Sequence, residues 1–169
     1  AETATSAGSV IIQAVLARKK KRDEMLFEVA ASNGIVMKAV FRRDLKQYIE
    51  NGPFAGCTGI VYCLTRKECE ETALALQDLG VKADYYHAGM PKKEKQLVQG
   101  SWLRGTITVV CATIAYGMGI DKADVRYVLH TTMSKSLEAY YQEAGRAGRD
   151  GNPAECILYH GPRDVGALK

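Results

Sequence analysis

Three features that define large classes of protein are missing from this 169-residue chain. No apolar run approaches the roughly 18–20 residues that a helix needs to span a bilayer. The amino-terminal residues lack the basic stretch followed by an apolar stretch that marks a secretory signal. Internal repeats and low-complexity tracts are also missing. We therefore expect an intracellular, globular protein that is not secreted.

Metal-binding and disulfide patterns are missing as well, although the chain has five cysteines and three histidines. No C-x-x-C pair occurs, and no histidine lies at zinc-finger spacing from a cysteine. Cys63, Cys111 and Cys156 lie in apolar, strand-like segments, where a thiol usually packs as a small buried hydrophobe. The pattern predicts reduced thiols, as in most intracellular proteins, and neither zinc nor another metal site in this segment.

The composition is that of a single globular domain with a small excess of positive charge. Hydrophobic residues make up 47% of the chain and charged residues 25%, both ordinary values for a folded protein. The net charge of +4 is compatible with a phosphate-rich partner without requiring one. The densest basic cluster is RKKKR, residues 18–22. We interpret it first as a solvated linker or helix end, with contact to a nucleic-acid backbone as the alternative.

From residue 35 onward, short apolar segments alternate with amphipathic ones. Apolar and β-branched runs predict strands over residues 59–64, 81–86, 106–112, 125–130 and 155–159. Helical spacing of apolar residues predicts helices over residues 36–49, 66–79, 91–103, 137–147 and 163–168. Strands that are apolar on both faces and alternate with helices are typical of a covered parallel sheet. The predicted fold class is α/β, a three-layer sandwich with a mostly parallel central sheet and helices on both faces.

The connections after the strands hold candidate binding residues, because right-handed crossovers bring the strand carboxyl ends to one ligand-binding edge. His87, in YYHAGM, is a candidate for contact with a nucleotide or nucleic acid, although a hydrogen-bonded histidine in a plain turn explains that segment better when it is taken alone. In VVCATIAYGMGIDK, Thr113 offers a hydroxyl to a phosphate and Asp121 offers a carboxylate to a ribose or an arginine. Gly117 and Gly119 let backbone amides approach a phosphate, but two loop glycines more often mark a structural turn.

Two arginines in YYQEAGRAGRDG, residues 140–151, carry the strongest signal. Arg146 and Arg149 are three residues apart, which places them on one face of a predicted helix end. A guanidinium is a permanent planar cation whose paired donors suit phosphate oxygens. Surface arginines are usually only solvated, but the glycines and alanines around these two leave room for close approach to a phosphate.

The residues that would bind the phosphates of a nucleotide directly are not recognisable. The chain has no G-x-x-x-x-G-K-[ST] loop, and its only Asp-Glu pair, Asp23-Glu24, does not follow an apolar strand. Arginines without a phosphate loop or a carboxylate for Mg²⁺ are what one half of a two-lobed ATPase would contain. The segment alone is therefore expected not to hydrolyse ATP.

From about residue 59 to about residue 164, the chain resembles the second RecA-like lobe of the RecQ family of DNA helicases, in helicase superfamily 2. GIVYC is similar to helicase motif IV, and YHAGM follows it as in the family. VVCATIAYGMGIDKADVRYVLH is similar to motif V, and SKSLEAYYQEAGRAGRDG is similar to motif VI. Related RNA helicases carry H-R-x-G-R-x-G-R in motif VI, so Gln142 and Glu143 favour RecQ.

This resemblance implies an ATP-dependent DNA helicase that moves 3′ to 5′ on DNA as two RecA-like lobes open and close around ATP. ATP and Mg²⁺ would be held mainly by a first lobe of the same chain, outside this sequence. The implied partners are that lobe and DNA, as single strands and duplex junctions, and no membrane. The implied setting is DNA repair and DNA recombination, in the nucleus or elsewhere inside the cell with DNA.

The resemblance also implies roles for individual residues. Arg146 and Arg149 would face the ATP bound to the first lobe, and one or both would act as an arginine finger. Gln142 would couple the state of the ATP to closure of the lobes. The loop that contains Gly117, Gly119 and Asp121 would link the bound DNA to the ATP cleft. Contacts with nucleic acid are assigned to His87, Lys92 and Thr113.

We expect a domain boundary at about residue 34. Residues 1–34 are expected to form a segment between the lobes, and residues 35–169 the RecA-like helicase C-terminal domain. Two alternatives remain open: the second lobe of an RNA helicase, and a stand-alone regulatory domain that binds nucleic acid. The QEAGRAGR segment counts against the RNA helicase.

Overall fold

Helices and strands alternate along the part of the chain that the structure describes. The computed structural model describes residues 34–113, 122–132 and 134–159. Its helices are α1 (Gly34–Asn51), α2 (Arg66–Asp78), α3 (Lys92–Leu103) and α4 (Leu137–Ala144). Its strands are β1 (Gly59–Cys63), β2 (Ala83–Tyr86), β3 (Val109–Thr113), β4 (Tyr127–His130) and β5 (Glu155–Leu158).

The strands of the described residues form one parallel sheet in the order β2-β3-β1-β4-β5. β1 is central, so that Ile60 pairs with Val110 on one side and with Val128 on the other. Every residue of β1 and of β3 is buried, as expected for strands that are covered on both faces. The α/β class and the parallel sheet that the alternating segments predict are confirmed.

Helices cover the sheet on both sides and divide the core into two layers. On one side, Leu45 of α1 and Leu76 of α2 are fully buried in one apolar cluster. On the other side, Trp102 of α3 and Ala144 of α4 are buried in a second cluster. Alternate residues of β1 belong to opposite clusters, as the period of a strand requires. The three-layer prediction is confirmed, and no described helix is long and apolar enough to cross a membrane.

Two element ends differ from the predicted ones for identifiable reasons. β3 begins later than predicted, because the amides of Thr106 and Ile107 donate to the carbonyl of Ser101 in the turn that closes α3. α4 ends at Ala144 rather than at residue 147, because Gly145 forms its carboxyl-terminal cap. The arginine pair therefore lies in a turn that follows the helix, and the predicted position on one face of a helix end is wrong.

The connection from β1 to α2 is held by hydrogen bonds similar to those of a capping box, with the glutamate reaching the residue before the N-cap Thr65. The Thr65 hydroxyl accepts a hydrogen bond from the Glu68 amide at 3.1 Å, and the Glu68 carboxylate accepts one from the Leu64 amide at 3.2 Å. The same carboxylate accepts a bond from the Thr131 hydroxyl, 3.0 Å away, just after β4. The carboxyl ends of β1 and β4, on which the candidate site is built, are thereby joined.

Candidate functional site

A cluster of buried polar side chains lies where β1, β4 and α4 meet. Its members, which we call the Arg146 cluster, are Tyr62, His130, Ser134, Glu143 and Arg146. Arg146 is the most exposed of them, with only 9% of its surface accessible. Charged side chains are rarely buried this deeply unless they are bonded to one another. The arginine of the strongest sequence motif is therefore part of the protein interior.

Glu143 is the centre of hydrogen bonding in the Arg146 cluster. Nε2 of His130 lies 2.8 Å from its Oε2, and the Ser134 hydroxyl donates to the same oxygen at 2.7 Å. With the glutamate ionised, Nε2 of the histidine carries the proton of the first bond. These two bonds satisfy a carboxylate that would otherwise be costly to bury. They also fix α4 to the end of β4.

Arg146 is held by its main chain and lies against the sheet. Its amide donates to the Glu143 carbonyl at 3.2 Å. Its guanidinium lies near enough to the Tyr62 hydroxyl on β1 for its charge to oppose the rise in the pKa of that phenol. The Tyr62 ring stacks on His130, with ring centroids 5.2 Å apart and planes inclined by 25°. The guanidinium is therefore largely shielded from solvent by the packed sheet.

Burial raises the pKa of the two phenols near this arginine, Tyr62 and Tyr140. Burial raises the pKa of Tyr62, and the charge of Glu143 adds to this effect while that of Arg146 opposes it. The ring of Tyr140 lies 5.1 Å from that of His130, and burial raises the pKa of Tyr140 to about 12. The Tyr62 phenol therefore stays neutral beside the guanidinium.

Arg149 lies in the same turn but has a different environment. It is exposed, and its Nε donates to the Gly145 carbonyl at 3.3 Å. Between the two arginines, Gly148 has a φ of 65°, in the left-handed region that favours glycine. A Cβ added there would lie 2.9 Å from the carbonyl oxygen of Asn152. The structure thus places one arginine inside and one outside, while Gln142 is exposed on α4.

The end of this turn is clamped to the segment that leads into β4. The Gly148 amide donates to the Val125 carbonyl at 2.9 Å. The Arg126 guanidinium donates to the Asp150 carboxylate at 2.5 Å and to the Pro153 carbonyl at 2.9 Å. The hydrogen bond from Arg126 holds the pKa of Asp150 at about 2, well below its usual range. The segment with the two arginines is therefore anchored at both ends.

A second group of candidates lies at the ends of β2 and β3. Tyr86 of β2 pairs with Ala112 of β3, so His87 and Thr113 are at adjacent strand ends. Thr113 is 8% exposed. Lys92 begins α3 and is exposed. The structure therefore brings these three predicted nucleic-acid contacts to one part of the sheet edge.

His87 is held inside this edge by its own hydrogen bonds. Its side chain is 7% exposed, and its Nε2 lies 2.7 Å from Oε1 of Glu70. The Gly89 amide donates to Nδ1 at 3.2 Å, so Nε2 carries the proton and donates to the carboxylate. The Tyr85 ring stacks on the imidazole at 5.8 Å between centroids. This is the hydrogen-bonded turn histidine that the segment alone predicts, and its contact with nucleic acid stays a prediction.

Other sequence-based predictions fall outside the described residues. These are the loop residues Gly117, Gly119 and Asp121, the segment 1–33 and the helix predicted over 163–168. Within the described ranges, no three histidine, cysteine or acidic side chains are grouped so that they could hold a metal ion. All five cysteines lie in those ranges and are free thiols.

Sequence reasoning missed most of the Arg146 cluster. His130 and Ser134 were not candidates, and Glu143 served only to distinguish one family from another. A histidine at the end of the apolar run VRYVLH is the one local signal of this cluster. The partners come together only when β4 and α4 pack, so spacing along the chain does not reveal them.

Comparison with known proteins identifies the family of this chain. Residues 42–151 match the family model for the helicase conserved C-terminal domain. This chain belongs to that family. It is 51% identical over 122 residues to the ATP-dependent DNA helicase hus2/rqh1 of Schizosaccharomyces pombe, which covers 72% of this chain and 9% of that protein. It is 50% identical over 125 residues to the ATP-dependent DNA helicase Q1 of Mus musculus, which covers 74% of this chain and 19% of that protein.

Among solved structures, this helicase C-terminal domain is similar to the RNA helicase Prp28 of Chaetomium thermophilum bound to ADP. The TM-score is 0.66 at 26% identity, covering 74% of this chain and 31% of that one. Identity is about twice as high to the DNA helicases, which confirms the resemblance to the RecQ type. The matched part spans only 9% to 19% of the length of these two curated relatives.

Proposed function

We propose that this domain is the second motor lobe of an ATP-dependent, 3′-to-5′ DNA helicase of RecQ type. The observation that carries the proposal is Arg146, a buried arginine that closely follows the capped end of α4 within the helicase family match. In the proposed motor, a first lobe binds ATP and this lobe supplies arginines to it. The sequence identity is 51% to a DNA helicase and 26% to an RNA helicase, which favours DNA as the nucleic acid along which the motor moves.

Arg146 is the arginine finger in this proposal. A cation that is already oriented stabilises the charge that develops on a transferring phosphoryl group without reorganising at the moment of reaction. Its burial and its position after the capped end of α4 restrict the orientations that it can adopt. Fingers of this kind contribute about 10³–10⁵ to the rate in nucleotide hydrolases. Closure of the lobes would bring the guanidinium to the γ-phosphate.

The exposed residues of the same segment have complementary roles in the proposal. Arg149 supplies a second cation to the phosphates or to the facing lobe, and Gln142 couples the state of the ATP to closure. The arginines fit the phosphates of ATP, whereas the described residues include no group that could hold a metal ion. Following the family resemblance, we assign Mg²⁺, which would neutralise phosphate charge, to ligands on the first lobe.

We propose that the β2–β3 edge and motif V contact DNA. Lys92 is exposed in the first turn of α3, where free backbone amides also favour phosphate. Thr113 and His87 lie beside it at the strand ends. Gly117, Gly119 and Asp121 would connect this edge to the nucleotide. The proposal also includes residues 1–34 as the interlobe segment, DNA junctions as substrates, and DNA repair and recombination in the nucleus as the setting.

The test is ATP turnover in the presence of single-stranded DNA, measured for the full-length protein and for this chain alone. We expect turnover only in the full-length protein. We expect Arg146→Ala or Arg149→Ala to lower its kcat by about 10³-fold or more while ATP is still bound. Arg104→Ala removes an exposed arginine at the end of α3 and is the matched control. Normal turnover in both motif variants, or turnover by the chain alone, would overturn the proposal.

A further inference from the structure

The turn that connects β2 to α3 is closed by three hydrogen bonds, and His87 takes part in each of them. The Met90 amide donates to the His87 carbonyl at 3.2 Å, and the His87 amide donates to Sδ of Met90 at 3.4 Å. The Gly89 amide donates to Nδ1 of the imidazole at 3.2 Å. Pro91 follows as the N-cap of α3, whose first residue is Lys92. The conformation of this turn therefore sets the place and direction in which α3 starts.

The imidazole that closes the turn is held from α2 by Glu70. Nε2 of His87 donates to Oε1 of Glu70 at 2.7 Å, so that both ring nitrogens are bonded. The Tyr85 ring stacks on the imidazole, with planes inclined by only 12°. Because Nε2 carries the proton, Nδ1 stays an acceptor and faces the Gly89 amide. Glu70 therefore fixes both the tautomer and the orientation of the ring.

A carboxylate at this edge is not explained by its charge or by its contribution to stability. The Arg66 guanidinium lies against Gly89, where a built Cβ would be 2.9 Å from Nη1, and Lys92 lies just beyond the turn. These cations attract phosphate, whereas a carboxylate repels it. The Glu70 side chain is 44% exposed, and ion pairs of such exposed groups contribute little to stability. The bond from His87 is the feature that accounts for a carboxylate here.

We propose that Glu70 and His87 are positioning residues that preform the start of α3 for contact with the DNA backbone. This inference rests on the proposed function, in which Lys92 contacts DNA. Glu70 orients the imidazole, the imidazole closes the turn, and the turn presents Lys92. A binding element that is already formed loses less conformational entropy when its ligand arrives. His87 need not touch the DNA, because both of its ring nitrogens are already bonded.

The affinity of the full-length protein for single-stranded DNA, measured by fluorescence anisotropy, tests the role of Glu70 by the sign of the change. Glu70→Ala should raise the Kd about 3- to 10-fold, because only a fraction of the molecules then has the turn formed. Glu70→Gln should keep a nearly normal Kd, since its amide oxygen still accepts a bond from Nε2 of His87. The melting temperature of both variants should stay within about 4 °C of the normal value. Loss of a repelling charge would instead lower the Kd in both variants.

Two other variants connect the effect to the start of α3. Glu94→Ala is the matched control, because it removes an exposed carboxylate from the first turn of α3, and its Kd should be normal or lower. Lys92→Ala should raise the Kd by itself. If Glu70 acts through Lys92, adding Glu70→Ala to Lys92→Ala should raise the Kd by less than about twofold further.

His87→Asn separates closure of the turn from direct contact with DNA. An asparagine side chain commonly accepts a bond from the amide two residues further on, which here is that of Gly89. The Kd of this variant should therefore stay within about twofold of normal, and Glu70→Ala should have no further effect in its background. A Kd raised by more than about threefold would assign His87 to direct contact and overturn its positioning role.

Each remaining outcome assigns a failure to one level of the proposal. A normal or lower Kd in Glu70→Ala, together with a raised Kd in Lys92→Ala, would overturn the positioning inference and leave the proposed function intact. Additive effects of Glu70→Ala and Lys92→Ala would overturn it as well. A normal Kd in Lys92→Ala would remove the DNA contact on which the inference rests. Normal turnover in Arg146→Ala would overturn the proposed function itself.

Discussion

Gly59 begins β1 at a place where no larger residue fits. It pairs with Tyr127 of β4, and a Cβ built on it would lie 1.8 Å from Cε2 and 2.2 Å from Cζ of that ring. Tyr127 is fully buried and meets Tyr48 edge-on, with ring centroids 5.6 Å apart and planes at 83°. Because the ring is packed on its other side, it has no free space into which to move. We predict that Gly59→Ala destabilises the protein.

The size of this effect follows from the overlap. Real Cβ atoms essentially never approach a neighbour within 3.0 Å, so the ring or the strand must shift by more than an ångström. Overpacking of a core costs about 1–3 kcal/mol, and occasionally more. We expect about 3 kcal/mol here, the upper part of that range. At roughly 2–4 °C per kcal/mol for a domain of this size, the melting temperature should fall by about 6–12 °C.

Urea unfolding followed by circular dichroism measures the free energy of unfolding of each variant. The double variant Gly59→Ala/Tyr127→Leu supplies the control, because a smaller side chain at 127 removes the collision. Its loss of stability should be smaller than the sum of the two single losses by at least about 1 kcal/mol. Normal stability of Gly59→Ala, or additive losses in the double variant, would refute the argument.

Two further predictions concern the edges of the site. Asp150, whose pKa is about 2 because of the hydrogen bond from Arg126, contributes stability that is present above its unfolded value of 3.8 and is lost as the pH falls through 2. The difference in free energy of unfolding between the native protein and Asp150→Asn should therefore shrink as the pH falls through that range. A difference that stays constant with pH would contradict this prediction. Lys92→Ala should lower the salt slope of single-stranded DNA binding by about 0.7–1, whereas the exposed Lys82→Ala should not. An equal slope in both variants would remove Lys92 from the DNA contacts.

The architecture was largely predictable, because its signals are local. The apolar runs of β1 and β3 and the spacing of apolar residues in α2 report burial within a few neighbours along the chain. The motif VI arginines were also recognisable, since glycine and alanine around two arginines form a short and specific pattern. The end of α4 was not predictable, because a helix-forming pattern continues past Gly145, where the backbone leaves the helix.

The environments of the site residues were not predictable in the same way. Arg146 and Arg149 are equivalent in the sequence, yet Arg146 is buried and Arg149 is exposed. For His87 the sequence predicts a hydrogen-bonded turn histidine, but it does not identify the partners, which are the Glu70 carboxylate and the Gly89 amide. These differences depend on which side chains of other elements arrive at the same place.

Residue types and their local spacing were therefore enough to establish the α/β class, the family and the two arginines. The packing of β1, β4 and α4 was needed to show that one arginine is buried and that Glu143, three residues before it, pairs with His130. The physical reason is that periodicity records only whether a side chain is buried. The identity of its partners depends on contacts between segments that are distant along the chain.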